Sequence, residues 1–280
     1  MRRSWPARGL VVLASFVAAS CGGAAFQAGA GDSSGPGADA SGDAPFTDAP
    51  PDANLSDAAC SHALSFDGVD DFVNVPNDAV MNLTAFTIEA WVRADSATVS
   101  SGAEVHIVSH HDHNANQGYV LMIFGPLKLR AYQASGTQEI AGSTNFPSDG
   151  AWHHVAGTLT TAGNASVWMD GQRLALASGW AGAAAYSGPL RIGAASYASA
   201  FFFKGLIDEV RLSNAATYTA GFSPAQRLSV TGSTVALWHF DEGAGQLVGS
   251  STPKLSGTRG PSSSATAEAQ DPAWASCAGR

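Results

Sequence analysis

The sequence predicts an all-β protein built as two antiparallel sheets stacked face to face. From Ser61 onward, short apolar runs alternate with clusters of Gly, Asn, Asp and Pro, the punctuation of strands and tight turns. Within several runs, apolar and polar residues alternate strictly, the two-residue period of a strand with one buried face. Charged residues make up only 13% of the chain against 45% hydrophobic, which disfavours the Glu-, Lys- and Arg-rich surfaces of long helices or coiled coils.

Twelve strands are expected, over 62–66, 72–75, 86–94, 105–109, 119–124, 127–132, 152–160, 165–169, 173–177, 189–193, 205–213 and 235–240. In 86–94 the residues Phe86, Ile88, Ala90 and Val92 point one way and Thr87, Glu89, Trp91 and Arg93 the other. Asp170-Gly171 between two runs is a hairpin signal, because a two-residue turn needs positive φ at both positions. Some twelve short strands in one stretch without a convincing repeat suggest two layers in one domain.

The first sixty residues are of another kind. Arg2, Arg3 and Arg8 precede a short apolar run over 10–19 and the small residues Ala18, Ala19 and Ser20. That is the layout of an export signal over 1–21, too short for a permanent span. Cys21 directly after the small residues is similar to the lipidated cysteine of a bacterial lipoprotein, although Ala18 stands where Leu or Val is usual. Residues 22–59 carry six aspartates, no Lys or Arg, and much Gly, Ala, Ser and Pro. Such a stretch buries too little surface to offset chain entropy and reads as a disordered, acidic, extended linker. The expected location is therefore the cell envelope, at the outer membrane or cell surface, with membrane contact only through acyl chains on Cys21; the alternative is an ordinary secretory signal with an incidental cysteine, and a secreted protein. Net charge of −9 argues against nucleic acid as a partner, since phosphate neutralisation needs a basic surface.

With Cys21 assigned to the anchor, Cys60 and Cys277 remain, one at each edge of the globular region 60–280. In an oxidising compartment, two cysteines bracketing a domain whose ends lie close together favour a disulfide. Two free thiols or a metal pair are the alternatives, and no CxxC spacing supports the latter.

Several segments carry a resemblance. Ala63-Leu-Ser-Phe-Asp-Gly-Val-Asp-Asp-Phe-Val-Asn-Val-Pro resembles the opening of laminin-G-like, concanavalin A-like jelly-roll domains. Phe86-Thr-Ile-Glu-Ala-Trp-Val-Arg resembles their next signature strand. Trp152-His-His-Val-Ala-Gly-Thr-Leu with Val167-Trp-Met-Asp-Gly-Gln resembles the central hairpin. Leu190-Arg-Ile-Gly and Phe203-Lys-Gly-Leu-Ile-Asp-Glu-Val-Arg-Leu-Ser-Asn resemble the closing strands. These pieces occur in the family's order across 62–214. A further piece, Ala236-Leu-Trp-His-Phe-Asp-Glu-Gly-Ala-Gly, resembles a segment found at the start or end of such domains. It marks a C-terminal extension from about residue 230.

The resemblance implies a jelly-roll sandwich and admits either sugar recognition or sugar cleavage. Cleavage by the common route needs two carboxylates flanking the bond, on one strand face at i, i+2 or i, i+4. The Glu-x-Asp-x-(x)-Glu pattern of the glucanase members is absent. Asp208-Glu209 and Asp241-Glu242 are adjacent pairs whose members diverge on an extended strand. No HExxH motif is present either, and the GxSxG spacing at Gly31-Asp-Ser-Ser-Gly35 falls in the linker, away from any strand-to-helix turn, so a non-catalytic recognition module is expected. Its partner would be a carbohydrate or an envelope or extracellular protein. An atypical glycoside hydrolase or lyase, or a purely structural domain, is the alternative.

Two kinds of site are expected. Glu89, Trp91 and Arg93, with His154 and Trp168, share faces opposite the apolar residues of their strands. They form either a sugar-stacking platform or, for the tryptophans, part of the core. Trp180, Tyr186, Tyr197 and the Phe201–Phe203 run would then edge such a site from loops. Asp67, Asp70 and Asp71 crowd one turn and, joined by Asp208 from late in the fold, would suit a structural calcium ion. The alternative is a plain Asp-Gly turn with solvated neighbours. His110, His111 and His113 are expected on a surface loop after the strand 105–109, as incidental polar residues or as transition-metal ligands.

Overall fold

The computed structural model describes residues 60–263 and 268–280, within the compact unit Asp52–Arg280. The expected signal over 1–21, Cys21 and the linker 22–59 lie outside the described residues. In chain order the strands are β1 (Ala63–Asp67), β2 (Val73–Val75), β3 (Phe86–Ala94), β4 (Val105–Asp112) and β5 (Gln117–Ile123). They continue with β6 (Pro126–Gln133), β7 (Gly136–Asn145), β8 (His153–Leu159), β9 (Ala165–Met169), β10 (Gln172–Ala177) and β11 (Leu190–Ile192). The last are β12 (Lys204–Ser213), β13 (Thr234–Trp238), β14 (Leu247–Val248), β15 (Gly257–Arg259) and β16 (Ala273–Ala275).

Two antiparallel sheets result. The first runs β10-β9-β8-β3-β12-β1-β16, with β13 also paired to β12; the second runs β14-β15-β2-β11-β4-β5-β6-β7. All twelve expected strands are present to within a few residues. The inward rows of both sheets meet in one core. Phe86, Ile88, Ala90 and Val92 of β3 and Val155 of β8 share it with Ile107, Tyr119, Leu121 and Leu129 of the second sheet. Each such side chain contributes about 1.5–3 kcal/mol by leaving water. At Gly157 the layers approach so closely that a Cβ would stand 2.9 Å from Leu129 Cδ1.

The C-terminal segment from about residue 230 is no appendage. It supplies β13 and β16 to the first sheet and β14 and β15 to the second. The expected extension is packed into the sandwich: Ala236, Trp238, Phe240, Val248 and Leu255 are all completely buried, and Trp238 donates its indole N–H to Leu255 O at 2.9 Å. Periodicity overlooked β7 because only Ile140 among its ten residues is buried. It is an edge strand with little apolar signal.

The Asp170-Gly171 hairpin forms between β9 and β10, with φ of 49° and 76°. Gly171 is irreplaceable for a second reason: a Cβ there would lie 1.7 Å from the carbonyl oxygen of Phe222. That carbonyl belongs to a strap, residues 214–231, which leaves β12 and crosses the outer face of the first sheet before β13. Phe222 N in turn donates to Gly171 O at 3.1 Å. Cys60 and Cys277 form a disulfide with a Cα–Cα distance of 6.0 Å, next to the short pairing of β1 with β16.

Candidate functional sites on the two outer faces

Strand register places Trp91 beside His154 and Ala156 beside both Glu89 and Trp168. The shared outer face expected from alternation therefore exists. It is not a platform, because the strap covers it. Tyr218 donates its hydroxyl to Glu89 Oε2 at 2.6 Å. Trp91 Nε1 donates to Ala225 O at 3.0 Å, and Arg211 Nη1 to Ser229 O at 2.7 Å. Phe222 stacks on Tyr218 with centroids 3.6 Å apart and packs against Trp168 and His154. Glu89, His154 and Trp168 are fully buried and Trp91 is 7% exposed.

Burial forces this face to satisfy itself. Glu89 accepts from Arg211 Nε at 2.9 Å and makes a 3.1 Å hydrogen bond with His154 Nε2. Burial alone would raise its carboxyl pKa, but His154 and Arg211 outweigh that and hold it below the usual value. Arg93 alone of the five expected residues stays half-exposed, its guanidinium over the Trp152 ring at 5.7 Å. The other four make a second core with a charged centre, closed to any ligand while the strap is in place.

The acidic turn is only partly as expected. Carboxylate oxygens of Asp67, Asp70 and Asp71 all lie within 4.8 Å of one another. Asp67 Oδ1 accepts from Val69 N at 2.7 Å, and Asp71 Oδ2 accepts from Asp67 N at 2.7 Å. Burial, opposed by that hydrogen bond and reinforced by Asp67, Asp70 and Asp271, lifts the Asp71 pKa to about 6. This crowding of hard oxygen donors fits a calcium ion.

Asp208 does not join them. Asp67 pairs with Lys204 while Leu64 pairs with Ile207, so Asp208 falls roughly 13 Å further along β1, at about 3.3 Å per residue. Instead it is buried beside the disulfide, with Oδ2 2.7 Å from Cys60 Sγ, and it pairs with Arg280. Burial is the main cause that lifts its pKa to about 8, partly countered by Arg280. Nor does Asp208 share a cleft with Glu209. The latter turns away at φ 50° to accept from Leu228 N at 2.7 Å.

The outer face of the second sheet carries the group that sequence reasoning missed. Of the histidine run only His113 stands exposed on the turn after β4. His110 and His111 belong to β4 because register with β5 continues to Asp112. His110 points inward between Tyr119 and Tyr186, with centroids at 5.4 and 5.1 Å, and burial lowers its pKa to about 4. His106 and His111 face outward. His111 stacks on Tyr132 at 4.9 Å and 10°, and His106 on Phe201 at 4.8 Å and 19°.

Loop 194–203 overlies these rings. Its Ser196 accepts from His111 N at 2.8 Å and makes a 3.0 Å hydroxyl contact with Ser109; Tyr197 meets His111 edge-on at 4.9 Å. Phe201 holds φ 57°, a region that disfavours a bulky residue. Beside the aromatics, Arg130 pairs with Glu104 at 3.1 Å and with Glu139, and Lys128 pairs with Glu139 at 2.8 Å. Burial drives the pKa of both His106 and His111 downward, with Glu104 opposing it at His106 and the surrounding His106, His113, Arg130 and His110 deepening it at His111. Both rings are therefore neutral near pH 7.

Tyr197, Phe201, Phe202, Glu104, Lys128 and Arg130 are half-exposed, and His113 and Glu139 are exposed. An accessible face of aromatic rings beside paired charges suits ligands with apolar patches and hydroxyls. The loop aromatics divide accordingly, since Trp180, Tyr186 and Phe203 are buried. A signal for this face was in the sequence: Lys128, Arg130 and Tyr132 alternate with Leu127, Leu129 and Ala131.

A family model described as the concanavalin A-like lectin/glucanases superfamily (Laminin_G_3) matches residues 67–220. No curated protein matches the chain. Among solved structures, a candidate carbohydrate-binding protein from Bacteroides ovatus is similar at 17% identity and a TM-score of 0.56. That alignment covers 72% of this chain and 58% of that one. Domain 4 of an extracellular arabinanase from Geobacillus stearothermophilus, in complex with arabinotriose, aligns at 17% identity and TM-score 0.42, covering 59% and 73%. A sialidase carbohydrate-binding module from Ruminococcus gnavus aligns at 13% identity and TM-score 0.42, covering 57% and 90%.

Proposed function

Because this chain belongs to the Laminin_G_3 family of concanavalin A-like domains, we propose that it is a non-catalytic glycan-recognition module whose site is the outer face of the second sheet. The observation that carries this reading is the set of accessible aromatic rings, Tyr197 and Phe201, standing beside the Glu104–Arg130–Glu139–Lys128 ion-pair network. The rings suit the apolar face of a sugar, and the charged groups suit its hydroxyls. Two cations face two carboxylates there, so the matching ligand is a neutral glycan. The solved structures described as carbohydrate-binding support the same class of ligand.

In this reading Cys21 carries the lipid, the acidic stretch 22–59 acts as a stalk, and the domain is displayed at the cell envelope. Asp67, Asp70 and Asp71 hold a calcium ion that relieves their mutual repulsion and stiffens the turn after β1.

The test is a glycan-array screen of the purified protein, with calcium and with chelator. Neutral glycans should bind, and Tyr197→Ala and Arg130→Ala should each weaken binding roughly tenfold, the equivalent of about 1.4 kcal/mol. A wild-type protein that binds no glycan but captures one envelope protein would replace this reading with protein recognition. Glycan binding untouched by both variants would move the site elsewhere.

A further inference from the structure

A cleft of about 480 Å³ lies on the other layer, lined by Arg227, Leu237, His239, Asp241, Glu242 and the 249–251 turn. All these residues follow residue 220, where the family match ends. The cleft is thus built by the end of the strap and the segment from β13 to β14, beyond the matched region.

Its polar groups have a definite bias. Glu209 accepts from Leu228 N through one oxygen and lies 2.9 Å from His239 Nδ1 through the other. A carboxylate offers only lone pairs, so Nδ1 donates its proton to Glu209. The strained φ of 50° at Glu209 aims this carboxylate at the ring. Arg227, the one guanidinium in the lining, is committed to Asp241 Oδ2 at 2.5 Å. The other oxygen of Asp241 accepts from Ser61 Oγ at 2.9 Å.

Glu242 is exposed. One of its oxygens accepts from Gly249 N at 2.7 Å, which orients the carboxylate and leaves the second oxygen available. Ser250 and Ser251 add hydroxyls, and Leu237 adds an apolar wall. The serine oxygens already accept from the backbone, Ser250 Oγ from Thr252 N at 3.2 Å and Ser251 Oγ from Leu237 N at 3.1 Å, and the carboxylates of Asp241 and Glu242 outnumber the Arg227 guanidinium, so the cleft is negatively biased. A matching ligand must bring donors: an ammonium group together with hydroxyls.

We propose that this cleft is a second binding site, specific for a protonated amino sugar. Glu242 receives the ammonium, the serine hydroxyls and the His239 ring meet the sugar hydroxyls, and Leu237 lies against the ring. The size suits one or two sugar units. The site is separate from the neutral-glycan face on the second sheet, so the two readings stand or fall independently.

The experiment is a calorimetric titration of the purified protein with a glucosamine trimer and, in parallel, with its fully N-acetylated counterpart. Acetylation removes the positive charge and keeps the hydroxyls. The deacetylated trimer should bind at least tenfold tighter than the acetylated one, as expected for a charge-assisted hydrogen bond. Glu242→Gln, which can still accept from Gly249 N, should cancel that preference. His239→Ala, checked for an unchanged melting temperature, should weaken binding of the deacetylated trimer. Equal affinity for the two trimers, no binding of either, or a preference that survives Glu242→Gln would overturn the assignment.

Discussion

Replacing Cys60 and Cys277 together by serine tests how the sandwich is held at its ends. The bond closes a loop with a sequence separation of 217 residues. In the chain-entropy treatment, a loop of that size restricts the unfolded chain by about 5 kcal/mol, an upper figure wherever the unfolded state keeps residual structure. The native contacts at the site survive the substitution. β1 remains paired with β12 over four residues. β16 is held by Arg259 Nη1 donating to Pro272 O at 2.7 Å and by Trp274 Nε1 donating to Gly245 O at 3.1 Å. The variant should therefore keep its β-type circular-dichroism spectrum at 25 °C and melt lower by roughly 10–20 °C, at about 2–4 °C per kcal/mol for a domain of this size. Calorimetric melts of the oxidised wild type and the double variant give the number. A drop of less than about 3 °C would refute the entropic argument. Loss of the β spectrum at 25 °C would show instead that the end strands need the covalent link to stay in register.

Three further outcomes follow from the buried polar groups and the strap. Asp71 and Asp208 bind their protons more tightly in the fold than in the unfolded chain, because burial raises both. Their contribution to stability is full below the unfolded value near 3.8, then lost as pH rises through about 6 for Asp71 and about 8 for Asp208. In chelator, melts from pH 4.5 to 9 should decline in both ranges; Asp71→Asn should flatten the lower one and added calcium should reverse it. Persistence of the lower decline in Asp71→Asn would reject this assignment. Glu89→Ala strands the Arg211 guanidinium in a dry site and should cost about 3–5 kcal/mol in urea unfolding; a loss under 1 kcal/mol would mean that water enters beneath the strap. Gly171→Ala should destabilise by more than about 1 kcal/mol, from positive φ and collision with the strap, and should speed proteolysis within 214–231; unchanged cleavage would show that the strap does not depend on this contact.

The layered fold was legible because its signal is local. Phe86, Ile88, Ala90 and Val92 announce an inward row, and Asp170-Gly171 announces a turn, each within a window of a few residues. Where apolar content was sparse, as around Ile140, the strand was invisible although hydrogen-bond pairing makes it. Which outer face is open was a different kind of question. Alternation correctly grouped Glu89 and Trp91 with their strand neighbours, but it carries no information about what lies above them.

The sequence by itself determined the two-layer architecture, the sides to which its strands turn, and the cysteines available to bridge the ends, since these follow from residue period and count. Tertiary structure alone decided that the strap seals the face of Glu89 and Trp168, that Asp208 pairs with Arg280 away from the acidic turn, and that His106, His111, Tyr132 and Tyr197 meet on the opposite layer. The physical reason is that alternation specifies a direction relative to one strand. Covering and convergence depend on strand order and on where long connections cross, and those are settled only when distant segments compete to bury the same surface.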